Sequence, residues 1–99
     1  MKHPRKQKAR ALLSEFSSTL SSEILKVRIY RVRGGFVCER ELVERDGTSF
    51  TMVYPFRKVE AARTLLAADP YYLRVRGEVS RALGKLDEAL REHRGKPAS

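Results

Sequence analysis

The residues able to do chemistry in this 99-residue chain are few and poorly placed for catalysis. His3 and His93 stand near opposite ends, so neither has an obvious partner for proton transfer. Cys38 is the only cysteine, with no second Cys or His at metal-ligand spacing. In an alternating strand it falls on the apolar side, which fits a buried structural thiol. Glu39 and Glu41 share the opposite side and superficially resemble a carboxylate pair. Arg28 lies across from Glu41 in the expected hairpin, so a surface ion pair explains them. The Gly34-Gly35 pair sits in a hairpin rather than before a helix, which removes it as a phosphate loop. No catalytic, cofactor-binding or metal-ligating set emerges, and the expectation is a protein that is not an enzyme.

Arg40 breaks the pattern of its strand. It projects onto the apolar face, where an unpaired charge is very costly, and so must reach the rim or meet an acid on a covering helix. Glu60 and Glu15 are the candidate acids, and an anion site between sheet and helix is the functional alternative.

Charge offers a stronger signal. The chain carries a formal net charge of +9, which points to a polyanionic partner. All 12 acids lie between Ala11 and His93, whereas Lys2, Arg5, Lys6, Lys8 and Arg10 form an acid-free run. The surplus therefore sits mainly in an arm, expected to bind DNA or RNA phosphates without sequence preference, with a solubilising tail as the alternative. Lys26, Arg28 and Tyr30 make a basic-plus-aromatic line on one strand, of the kind that stacks single-stranded bases, although Glu39 and Glu41 beside it oppose phosphate. Arg57 and Lys58 could extend the arm's surface. The alternative is a protein-interaction module, a homodimer or partner-binding face built on Val32, Val37, Val43 and Val53.

The elements that must carry these residues are read from period and turn signals. Ala9, Leu12, Leu13, Phe16 and Leu20 recur at three- and four-residue steps, predicting a helix from about Lys6 to Thr19 or Leu20. Alternation then predicts strands over Ile24–Arg33, Phe36–Glu44 and Thr48–Tyr54, joined at Gly34-Gly35 and Asp46-Gly47. With a two-residue first loop, Arg33 faces Phe36 and Val27 faces Leu42. A three-residue second loop with Gly47 in a left-handed conformation gathers Leu25, Val27, Ile29, Phe36, Cys38, Leu42, Phe50, Met52 and Tyr54 on one face. A one-residue slip would scatter them, so burial selects this register. The first strand is then an edge, guarded by Lys26, Arg28, Arg31 and Arg33.

A short helix from Lys58 to Ala67 follows. Asp69-Pro70 restarts the chain as cap and first position of a long helix reaching about Glu92, with a fourth strand over Tyr71–Arg76 as the alternative. The expected fold class is α+β: a three-stranded antiparallel β-meander with one face covered by helices, in the order α-β-β-β-α-α. Residues 1–10 form a basic arm, 11–93 one domain and 94–99 a flexible tail. No apolar run is long enough for a membrane span or a signal-peptide core, and the lone cysteine suits a reducing compartment, so the expected location is the cytoplasm without membrane contact.

Overall fold

Period-two alternation extends further toward the N-terminus than the apolar spacing suggests. The computed structural model describes residues 10–95, and its first element is a strand, β1 (Ala11–Thr19), not a helix. Ser14, Phe16 and Ser18 turn inward with Leu20 beyond them, while Glu15, Ser17 and Thr19 are exposed. A bulge between Leu12 and Ser14 inserts Leu13 into the strand. That extra residue brings Leu12, Leu13, Phe16 and Leu20 to helix-like spacing. Ser17, Ser18 and Thr19 are poor helix formers, and the buried Ser14 hydroxyl donates to the Ala82 carbonyl at 2.7 Å.

Three further strands complete an antiparallel meander of order β1-β2-β3-β4: β2 (Ile24–Val32), β3 (Gly35–Val43) and β4 (Ser49–Phe56). The sheet thus has four strands rather than three. β2 is paired on both sides, so its arginines do not guard an edge; the edges are β1 and β4.

The first hairpin turns at Arg33-Gly34, not Gly34-Gly35. Val32 faces Gly35, Arg31 faces Phe36 and Val27 faces Arg40. A two-residue shift preserves the face of every side chain, so the expected faces survive although the pairs change. Gly34 has φ of 86° and supplies the left-handed turn position. Gly35 joins the ladder at a point that excludes a side chain, since a Cβ there would stand 2.7 Å from the Phe56 carbonyl oxygen.

The second hairpin has the expected register. Leu42 faces Phe50, Arg40 faces Met52 and Cys38 faces Tyr54. Glu44 N–H donates to Thr48 O at 2.7 Å and Gly47 N–H to Glu44 O at 3.0 Å, enclosing a three-residue loop with Gly47 at φ of 94°. Space around Gly47 is open, so a side chain there meets backbone strain and not a clash. Gly47→Val is expected to cost about 1–2 kcal/mol, lowering the melting temperature by roughly 4–16 °C. A wild-type melting curve for this variant would contradict the left-handed loop.

Helices cover one face only. α1 (Val59–Ala67) buries Ala62 and Leu66. The expected single helix after Asp69-Pro70 is instead a 3-10 turn (Tyr72–Arg74) followed by α2 (Arg76–Gly95), and no strand forms over Tyr71–Arg76. The Asp69 carboxylate accepts the Tyr71 N–H at 2.9 Å and its carbonyl accepts Tyr72 N–H at 2.9 Å, which closes a tight turn in place of an α-helical first turn.

The core joins Leu25, Val27, Ile29 and Cys38 of the sheet to Leu66 of α1 and to Val75, Val79, Leu86 and Leu90. Phe50 and Met52 lie on the expected face but are 66% and 50% exposed. α2 packs on β1 and α1 on β4, where Phe56 is buried while residues 49–53 stay exposed.

Candidate nucleic-acid interface

On the face without helices, Arg28 donates through Nε to Glu39 at 3.1 Å and through Nη2 to Glu41 at 3.0 Å. Arg10 adds a bond to the second Glu39 oxygen at 3.0 Å, and its guanidinium lies 4.1 Å from the centre of the Tyr30 ring. Burial disfavours the Glu39 carboxylate, but its bonds to Arg10 and Arg28 outweigh this and hold its pKa below the usual carboxylate range. Lys26 faces Glu41 across the ladder.

This geometry changes the balance of the face. Glu39 and Glu41 are neutralised by neighbours, which removes their repulsion of phosphate. Arg28 spends its donors on them, however, and Arg10 covers Tyr30, so the Lys26–Arg28–Tyr30 line is not an open stacking platform. Of the four valines, Val32, Val37 and Val43 are half-buried by their neighbours and Val53 is 53% exposed.

Free positive charge gathers at one end of the sheet instead. Ala11, the first residue of β1, pairs with Arg31, and Arg33 forms the adjacent turn. Arg57 packs beside Gly35: a Cβ on that glycine would lie 3.6 Å from Arg57 Cα. Lys58 follows at the entry to α1. Arg31, Arg33, Arg57 and Lys58 are all exposed, and none makes an ion pair among the described residues. The opposite end carries Glu23, Glu44, Arg45 and Asp46. Lys2, Arg5, Lys6 and Lys8 lie outside the described residues, but the segment that holds them leads into β1 at the basic end. Sequence reasoning missed Arg31 and Arg33 as part of this cluster because it assigned them to edge protection.

On the helix side, Arg40 binds Asp69 through both Nε and Nη2, the latter at 3.2 Å from Oδ1. The pairing expected for Arg40 exists, but its acid is neither Glu60 nor Glu15. The pair borders a cleft formed with Val27, Met52, Tyr54, Leu65 and Pro70. Cys38 is 2% exposed, and burial pushes its thiol up to about 11, so it is unsuited to nucleophilic work. No group of three or more His, Cys, Asp or Glu side chains is placed to hold a metal among the described residues.

Fold and surface together define a small α+β domain: a four-stranded antiparallel meander, two helices on one face and a cationic end. No protein family, curated protein or solved structure matches the chain. No helix among the described residues is long and apolar enough to cross a membrane.

Proposed function

We propose that this protein is a non-enzymatic, sequence-independent binder of DNA or RNA, gripping phosphates with its basic arm and the cationic end of its sheet. The observation that supports this reading is the convergence of Arg31, Arg33, Arg57 and Lys58 where residues 1–9 join the folded body. None of these charges is ion-paired among the described residues, and Arg31 alone among them lies over an aromatic ring, 5.5 Å from the centre of Phe36. Each is exposed and free to displace counterions from a nucleic acid. A reducing cytoplasm suits the single thiol. The alternative is a protein-interaction module on the open face, where Val53 is the exposed valine.

Fluorescence anisotropy with single- and double-stranded oligonucleotides, titrated with salt, tests the proposal. Removal of residues 1–10 is expected to weaken binding and flatten the log–log salt slope by roughly 3–4 units, about 0.7–0.9 per lost phosphate contact. Arg33→Glu with Arg57→Glu should weaken all sequences alike, as phosphate contacts do. Absence of binding at low salt rejects the reading. Open-face binding to a protein would instead be lost in Val53→Lys with the arm intact.

A further inference from the structure

β4 is an edge strand with an unusual composition for this chain. Its eight residues, Ser49–Phe56, include no charged side chain, in a protein of net charge +9. The other edge, β1, is protected by the bulge at Leu13 and by exposed Glu15. β4 has neither a bulge nor a charge. Three of its side chains are also among the most exposed large apolar groups of the described residues: Phe50 at 66%, Met52 at 50% and Val53 at 53%.

The direction of the free backbone groups follows from the hairpin. The Glu44 N–H to Thr48 O bond marks residue 48 as a hydrogen-bonded position. Alternation along an antiparallel ladder then turns residues 50, 52 and 54 toward β3 and residues 49, 51, 53 and 55 outward. Pro55 thus sits where its missing N–H takes nothing from the β3–β4 ladder. It also ends the usable edge, leaving the N–H and C=O groups of Ser49, Thr51 and Val53 unpaired in the sheet.

We propose that β4 is a self-association edge, and that a second copy of this chain pairs with it antiparallel about a two-fold axis through Thr51. In that register Thr51 faces the partner copy's Thr51, and Ser49 faces its Val53, so every outward N–H from 49 to 53 finds a carbonyl. On the helix side, Phe50 of each copy stands beside Met52 of the other, a ring against a thioether. Centring the axis on Val53 instead would set Thr51 against Pro55 and lose two bonds.

The self-complementary register argues for a second copy as occupant. Self-pairing here brings no like charges of the strand face to face, because β4 carries none. An acidic partner would find no cation on β4 to recognise. Phe50, Met52 and Val53 expose on the order of 300 Å² of apolar surface, well below the ~800 Å² per partner of a standard interface. The dimer is therefore weak and forms at high protein concentration.

Sedimentation equilibrium of the full chain at roughly 10–500 μM tests the assignment, in about 0.5 M salt, where the Debye length falls to roughly 4 Å and repulsion between the two copies is screened. The expected result is a rise of the apparent mass from the 11.4 kDa monomer toward twice that value. Met52→Lys places a charge at the seam, and Thr51→Pro deletes an outward N–H without touching the β3–β4 ladder. Each should remain monomeric throughout with an unchanged circular dichroism spectrum, while Val37→Lys, on the open face, should still dimerise. A monomer at every concentration overturns the proposal. So does a dimer that survives both β4 variants, or one broken only by Val37→Lys.

Discussion

Asp69→Ala is expected to destabilise the protein by about 1–3 kcal/mol, the cost of leaving a part-buried charged group without its partner. The Arg40 side chain is 17% exposed and that of Asp69 7%. Arg40 stands in the middle of β3 with Val27, Met52 and Tyr54 around it. Without Asp69 it cannot neutralise itself, because an arginine stays protonated at any pH the fold survives. Asp69 also accepts the Tyr71 N–H, so the truncation frees a turn donor as well. Denaturant unfolding at neutral pH measures the loss. Replacing both partners, Arg40→Met with Asp69→Leu, should recover most of it, since an apolar pair leaves no orphaned charge. A loss below 1 kcal/mol for Asp69→Ala would mean that the pair is open to solvent. Arg10→Ala at the exposed Arg10–Glu39 pair provides the contrast, with an expected change within about 1 kcal/mol.

Leu86→Ala is the second large effect. Leu86 is fully buried on α2, in the cluster that includes Leu25, Val27 and Ile29. Truncation removes its transfer energy and leaves a void between helix and sheet, an expected loss of roughly 2–5 kcal/mol. Against the 5–15 kcal/mol typical of a whole domain, that is a large fraction. Chemical denaturation gives the magnitude, and amide exchange should show protection lost in α2 and β1 together. A change under 1 kcal/mol would place Leu86 outside the packed core.

Much of the sheet was legible because period two is unmistakable where one face is apolar. Leu25, Val27 and Ile29 alternate with Lys26 and Arg28, and Asp46-Gly47 pins the second register. β1 was not legible because serines occupy two of its inward positions, 14 and 18, and the bulge at Leu13 mimics a helical stripe. The start of α2 was hidden by Asp69-Pro70, a strong cap signal whose carboxylate is occupied by Arg40 and Tyr71. That pairing spans 29 residues, and no local rule reaches so far. The basic end was half legible: Arg57 and Lys58 were placed beside the arm, but Arg31 and Arg33 join them only once β2 is an inner strand.

The sole cysteine of this chain gives it an internal clock. Cys38 is enclosed between β2 and β4 and is protonated at neutral pH, so alkylating reagents meet a thiol that is both hidden and unreactive. Once the core parts, its acidity returns to that of a free thiol near 8.5 and modification follows. When closing outruns modification, the ratio of observed to free-thiol labelling rates equals the fraction of molecules open at Cys38. The native protein can thus report its own rare openings to a thiol reagent, without denaturant and without any engineered label.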